Sequence, residues 1–568
     1  MTKKIQGLAI SDGVGIGKAI VIIPQEIVIN KGEILHSEVS SELERFENSI
    51  QHALDEIDHL IENYAYTKNN QNILKTHKMI LKDPEFYEKI KKLIQENLYN
   101  LEQAVDQHFK GVIELFSKMD NEYMAERAND FKDVKNRLLS HITNQKLDQM
   151  INVCSENIVI MPEITPSEIT SVFDKNIAGL ITETGSKTAH SSILARSFGI
   201  PAVSGIANIS KEIDDDSLVI VDGYKGEVII EPDEQILKEY QAIVEKDKRD
   251  KGKLEKLIDQ KVQTLDGKVI KLKCNVEIPE EMPQVQRVNA DGIGLMRTEF
   301  IFLDKEELPD EDEQFNIYKK IVEKMGDREI TIRTIDVGGD KLSKILNFTK
   351  EQNPNLGCRG IRVSLLYPEI FKVQIRAILR ANKYGNIAVM FPMVSSIREL
   401  REAKKIVQEC INELENENIE FDPNIKIGIM IEIPSAAINS DFFAKECDFF
   451  SIGTNDLIQY TLAVDRGNEH IHEYFQPLNP AVLNLINLTI ENSHKNNITS
   501  GICGEMASER KFTEILIGMG IDELSVSPGQ FLAVKDKILS INYKKAKKIA
   551  EQVLQAGNVE EIDKIISS

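Results

Sequence analysis

An alternation running through the second half of the chain constrains the fold most. From residue 264 onward, short β-like runs at 269–275, 291–296, 329–335, 387–393, 426–432, 448–453, 499–503 and 522–526 alternate with helix-patterned stretches. Parallel strands need a long crossover between them, usually a helix, so regular strand–helix alternation is the mark of a parallel sheet. Eight such units over roughly 300 residues therefore predict a closed (β/α)8 barrel. Functional groups in such barrels gather at the C-terminal ends of the strands. The polar residues that follow each run are thus the first candidates for chemistry.

The first half reads differently. Residues 5–23 hold a glycine-rich turn (Gly13, Gly15, Gly17) and an apolar run at 19–23, read as one strand of an α/β domain. Between 38 and 143, Leu43, Phe46, Ile50, Leu54 and Ile57 recur at helical spacing, with similar patterns at 72–97, 100–117 and 122–143. This predicts an all-helical segment of about four helices. Strand-like runs return at 157–161, 178–181 and 218–230, so the helical segment interrupts the α/β domain. The expected division is α/β domain at 1–30 and 146–232, helical insert at 31–145, linker helix at 233–262 and barrel at 263–568. The linker is highly charged with few apolar anchors, and reads as a solvated helix.

A length of 568 residues suits three or four domains. The net charge of −22 argues against nucleic-acid binding, which needs a basic face, and suits a basic protein partner. No apolar run approaches the ~20 residues of a membrane helix. The first residues lack the apolar block and cleavage site of a secretory signal, so neither membrane insertion nor export is expected. Cys154, Cys274, Cys358, Cys410, Cys447 and Cys503 form no CxxC pair, and a reducing cytoplasm is the expected compartment.

Residues 185–203 carry the most informative local pattern. A strand ends near Thr182, small polar residues lead into His190, and a helical pattern follows until Gly199 and Pro201. His190 is thus placed at a helix start, where free amides and the positive dipole end favour a phosphoryl group. Imidazole is a competent nucleophile near neutral pH. The stretch resembles the phosphohistidine signature shared by enzyme I and the pyruvate phosphate dikinases, GGxTSHxxIxAR followed by Pro. Thr188, His190, Ile193, Ala195, Arg196 and Pro201 match it, whereas Ser186, Lys187 and Ala189 depart from it.

The barrel motifs follow the strand-like runs. They include Arg297 in GIGLMRTEF, Arg333, Arg359 in LGCRGIR, Glu432, Asn455, Asp456 and Arg466 in SIGTNDLIQYTLAVDRGN, and Cys503 in GICGEMA. Arginines grip phosphate and carboxylate groups bidentately. Carboxylates such as Glu432 and Asp456 can hold a divalent ion together with substrate oxygens. Taken singly, each charged residue could be a surface ion pair and Cys503 a small buried hydrophobe. Together these motifs resemble the phosphoenolpyruvate-binding barrel of the enzyme I family of the bacterial sugar phosphotransferase system. The resemblance extends over nearly the full chain.

The resemblance implies an α/β architecture: a swivelling phosphohistidine α/β domain with an inserted all-helical domain, followed by the TIM barrel. It implies transfer of a phosphoryl group from phosphoenolpyruvate to His190 and on to a histidine of the carrier protein HPr, with release of pyruvate. By the same resemblance Arg297 and Arg333 bind the phosphate, and Glu432 and Asp456 ligate Mg2+. Asn455, Asp456, Arg466 and Arg359 complete the substrate site, and Cys503 donates the proton that makes pyruvate. HPr would dock on the helical insert around 77–88 and 123–133, and the barrel would form a homodimer. Two other readings compete: an ATP-using dikinase, which would need a large nucleotide-binding domain for which no Gly-rich segment precedes the histidine domain, and a phosphorylatable regulator without turnover, against which the full set of barrel groups speaks.

Overall fold

In the computed structural model the described residues are 2–22, 29–63, 68–117, 122–143, 153–162, 177–184, 195, 199–302, 308–338, 351–466 and 468–567. His190 and its loop lie outside them. The chain divides into two compact units, Met1–Lys248 and Arg249–Ser568.

The first unit is built on an eight-stranded sheet. Its strands are β1 (Lys3–Gln6), β2 (Leu8–Ser11), β3 (Val14–Val21), β4 (Asn157–Met161), β5 (Gly179–Thr182), β6 (Ala202–Ser204), β7 (Leu218–Asp222) and β8 (Glu227–Ile230). They lie in the order β1-β8-β7-β3-β4-β5-β6-β2. Strands β3 to β6 run parallel, and the flanking pairs are antiparallel. Ile158, Ile160, Ile181, Val219, Val221 and Val228 form its core. Residues 5–23, expected to hold one strand, contribute three. Gly15 and Gly17 lie inside β3 rather than in a turn. A Cβ there would stand 2.1 Å from the carbonyl oxygens of Ala178 and Glu156 respectively, so only glycine permits this close passage of backbone.

Between β3 and β4 stand five helices among the described residues: α1 (Val39–Asn63), α2 (Lys68–Leu81), α3 (Pro84–Asn97), α4 (Leu101–Ser117) and α5 (Glu122–Thr143). The single pattern read at 72–97 is two helices. Pro84 cannot continue a helix but suits the first position of a new one, and the Asp83 carboxylate caps it by accepting from Glu85 N–H (2.8 Å). Phe46, Ile57, Ile90, Phe109, Val134 and Leu138 fill a core separate from that of the sheet. The helix Glu234–Glu255 is less solvated than its charge suggests. Tyr240, 5% exposed, packs with Ile236 and Ile243 against Ile220 and Ile229, and its hydroxyl donates to Asp222 Oδ2 (2.9 Å).

The second unit is the expected barrel. Its strands are β9 (Lys271–Val276), β10 (Ile293–Met296), β11 (Glu329–Arg333), β12 (Asn386–Phe391), β13 (Lys426–Ile431), β14 (Phe449–Gly453), β15 (Thr499–Cys503) and β16 (Glu523–Val526). All neighbours pair in parallel, and β16 closes on β9 with Val526 opposite Cys274. One large apolar core joins strands to surrounding helices, while Leu295, Met390, Met430 and Cys503 form a small cluster of their own. Near the strand starts, Lys273 is 1% exposed and its Nζ donates to Glu329 Oε1 (2.8 Å) and Glu523 Oε1 (3.0 Å).

Candidate active site at the barrel mouth

The chain places a polar residue at or just past the C-terminal end of strand after strand. Arg297 follows β10, Arg333 ends β11, Glu432 follows β13, Asn455 and Asp456 open the helix after β14, and Cys503 ends β15. Parallel pairing brings these ends together, so residues far apart in sequence converge on one mouth.

Arg333 is 8% exposed; its Nη2 donates to Glu299 Oε1 (3.0 Å), and its Nη1 donates to Met430 Sδ (3.7 Å) and lies in an ion pair 3.0 Å from Asp336 Oδ2. Its backbone is held as well, because the Thr298 hydroxyl donates to its carbonyl (2.9 Å) and the Gln374 amide donates to that hydroxyl (3.2 Å). Arg359 makes two bidentate pairs. Its Nε and Nη2 donate to Asp336 (3.0 and 3.1 Å), and its Nη1 and Nη2 donate to Asp456 (3.2 and 3.1 Å). Tyr460 Oη accepts from Arg359 Nη1 (3.2 Å) and itself donates to the Asn355 carbonyl. Gly360 beside it has φ +60°, and a Cβ there would lie 2.8 Å from the Met393 side chain.

Glu432 is 1% exposed and accepts from Met393 N–H (2.6 Å). Burial, then the like charges of Asp456 and Asp336, push its carboxyl well above the usual range despite Arg333 and Arg359. Burial would also raise Asp336, but Arg333 and Arg359 hold it below the usual range. Cys503 is 2% exposed; its thiol donates to the Ile452 carbonyl (3.5 Å) and accepts from the Ser451 hydroxyl (3.5 Å). Burial pushes this thiol up, against the Ser451 hydroxyl and the charge of Arg333, so it keeps its proton at neutral pH.

The remaining expected residues sit at the rim. Arg297 pairs with Glu277 (2.7 Å), leaving its Nε buried without a partner. Asn455 Oδ1 accepts from Glu505 N–H (3.3 Å), and Arg466 Nη1 lies 3.9 Å from Glu505 Oε1. The structure thus brings the buried Arg333, Glu432 and Cys503 together with the half-buried Arg359 and Asp456 into one group, with Arg297, Asn455 and Arg466 around it; His190 lies outside the described residues. Sequence reasoning did not single out Asp336, Glu299, Ser451 or Tyr460. Asp336 stands in the run 333–341 that follows β11, which was signal enough to find it. Nearby, Glu281 accepts from Glu277 N–H (2.6 Å) and Ile278 N–H (3.4 Å). Burial, with the charge of Glu277, pushes it up to about 7. Among the described residues no group of three or more His, Cys, Asp and Glu side chains is arranged to hold a metal ion. No described helix is long and apolar enough to cross a membrane.

Residues 251–543 match the family described as PEP-utilising enzyme, PEP-binding domain; 6–127 match its N-terminal family and 154–226 its mobile domain. The phosphoenolpyruvate-protein phosphotransferase of Priestia megaterium is 39% identical over 571 residues, covering 100% of this chain and 99% of that protein. The chain belongs to the phosphoenolpyruvate-protein phosphotransferase family. Other phosphoenolpyruvate-protein phosphotransferases, from Staphylococcus carnosus and Haemophilus influenzae, are each 39% identical over 564 residues, covering 99% of this chain and 98% of theirs. A solution structure of an enzyme I protein is 30% identical and covers 43% of this chain and 99% of its own, with a TM-score of 0.36. As a phosphoenolpyruvate-protein phosphotransferase, the chain pairs a mobile domain with a barrel whose mouth holds arginines, carboxylates and a protonated thiol.

Proposed function

We propose that this enzyme takes the phosphoryl group of phosphoenolpyruvate onto His190, releases pyruvate, and passes the group to a histidine of HPr. This would be the first general step of sugar uptake by the phosphotransferase system, in the cytoplasm, with the barrel forming a homodimer. The observation that carries it is the group Arg333–Asp336–Arg359–Asp456–Glu432 beside the Cys503 thiol.

In this reading Arg297, Arg333 and Arg359 bind and orient the phosphate, and Asn455 and Arg466 complete the substrate contacts. The imidazole of His190 attacks phosphorus; the N–P bond forms as the bond from phosphorus to the enol oxygen breaks. Fixed guanidinium charges stabilise the transferring group without reorganising. The enolate left behind takes the proton of the Cys503 thiol at carbon, which yields pyruvate and a thiolate for later reprotonation. Glu432 and Asp456 fit a divalent ion such as Mg2+, which binds through one or two carboxylates plus substrate oxygens and so needs no cage of three protein ligands. When bound, that ion would neutralise charge on the phosphoryl and enolate oxygens.

The carrier would dock on the helical segment. Its expected stretch 77–88 lines a surface depression of about 500 Å³ with Leu81, Lys82, Asp83, Pro84, Tyr87 and Glu88, an apolar floor with charges of both signs at its edge. The decisive experiment supplies the full chain with phosphoenolpyruvate and Mg2+ and maps acid-labile phosphate, with His190→Ala as control. Phosphate at His190, chased by purified HPr with release of pyruvate, is expected. A chain that never carries phosphate there under these conditions sinks the reading.

A further inference from the structure

Every arginine of the mouth is already engaged by carboxylates. Arg297 meets Glu277, Arg333 meets Glu299 and Asp336, and Arg359 meets Asp336 and Asp456. With Glu432 this sets five carboxyl groups beside three guanidinium groups. Arg359 is the best held of the three, because its fork spans two carboxylates and both oxygens of each accept from it. Its side chain is 14% exposed and that of Asp456 is 21% exposed, so water screens this pair little.

Both oxygens of Asp456 accept from Arg359, so a cation drawn to either of them meets the guanidinium charge already there and competes with it for the carboxylate. Arg359 in turn would be left facing a single carboxylate, Asp336, with part of its fork free. A half-buried guanidinium in that position takes an incoming anion. We propose that Arg359 is the stand-in counter-ion of Asp456 in the ligand-free mouth, and that divalent cation and phosphate enter by exchanging partners with this pair. The cation takes Asp456, and the phosphate takes the arginine fork that Asp456 gives up. Each ligand removes the cost that the other would face alone, so the two bind with positive coupling, and linkage makes that coupling reciprocal. Asp336 stays on Arg359 throughout and keeps the freed fork at the mouth; Tyr460 steadies it from the other side. This inference rests on the reading of Glu432 and Asp456 as the cation's ligands.

The test uses Mn2+ as the probe and the full chain with His190→Ala, so that no turnover occurs. Free Mn2+ is followed by its solution electron paramagnetic resonance signal, first without and then with phosphoenolpyruvate. In the parent, Mn2+ alone binds weakly and phosphoenolpyruvate tightens it. Arg359→Met is expected to tighten binding of Mn2+ alone roughly tenfold and to shrink the further effect of phosphoenolpyruvate to what its own oxygens add as ligands. A merely structural arginine would show the opposite, a weaker site. Arg359→Lys, which keeps the charge but cannot fork across two carboxylates, is expected to tighten Mn2+ alone by a smaller factor and covers the case in which the methionine variant does not fold. Unchanged or weaker Mn2+ binding in whichever of these variants keeps the parental circular dichroism overturns the exchange. Asp456→Asn separates the two levels. Parental Mn2+ affinity in that variant removes the ligand assignment itself, whereas loss of binding there with no gain in the Arg359 variants removes only the exchange.

Discussion

Single side chains at the barrel mouth owe their chemistry to burial. Cys503 holds its proton because its surroundings exclude water, and a thiol that stays protonated is a general acid in waiting. Cys503→Ala is expected to lower the rate of pyruvate formation by ~10²–10⁴. Solvent deuterium should also lose its stereospecific delivery to the pyruvate methyl group; a variant with unchanged rate and stereochemistry would show that the proton comes from elsewhere. Glu281 changes charge near neutrality. Its folded value of about 7 lies above the ordinary 4.5, so the stability tied to its protonated form is complete below about 4.5 and is lost as pH rises to 7. Glu281→Gln should therefore match the parent near pH 4 and exceed it in urea midpoint above pH 7. A gap that does not grow with pH would contradict this. Sequence alone could place Cys503 at a strand end, but not say that Ser451 and the Ile452 carbonyl meet its sulfur.

At the level of elements, the barrel is closed electrostatically as well as by hydrogen bonds. Lys273 of β9 ties the starts of β11 and β16 through Glu329 and Glu523, and Lys426 of β13 adds a second cation to Glu329. Burial would raise Glu329, but Lys273 and Lys426 outweigh it and bring its carboxyl down to about 2. The folded value lies below the unfolded one, so this stabilisation is present above pH ~4.5 and fades as pH falls towards 2. Lys273→Met leaves two carboxylates facing each other inside a barrel end, and should cost ~3–5 kcal/mol in chemical denaturation at pH 7. The deficit should shrink at low pH, where the carboxylates protonate; a cost independent of pH would point to packing instead. Helix boundaries tell a related story. Apolar spacing located the helical segment, yet the division between α2 and α3 depended on Pro84 and the Asp83 cap, a local signal that periodicity smooths over.

For the whole molecule, separate large apolar cores in two compact units among the described residues mean that stability is not one number. Calorimetry should resolve more than one transition, and in the His190→Ala chain, which cannot accept the phosphoryl group, phosphoenolpyruvate with Mg2+ should raise only the one belonging to the barrel. Phe46→Ala, which empties the centre of the helical core where Phe86 and Tyr87 pack, should lose ~3–5 kcal/mol in the first unit and leave the barrel transition in place. A single transition that shifts as a whole would mean that the units unfold together. The eight barrel strands in order, the insertion of helices into an α/β sheet and the motif residues at strand ends were legible in the chain, because they follow from local periodicity and covalent order; the short strands of the first unit were not, since 5–23 holds three, 218–230 two, and Ala202–Ser204 is too brief to show a period. The pairing of charges was not. Arg359 meets Asp456 across 97 positions and Lys273 meets Glu523 across 250, and nothing in either neighbourhood announces the other. Those partners, the water they exclude and the pKa shifts that result exist only once the strands have closed into a ring, since Coulomb energy depends on distance through space and on the dielectric that folding creates.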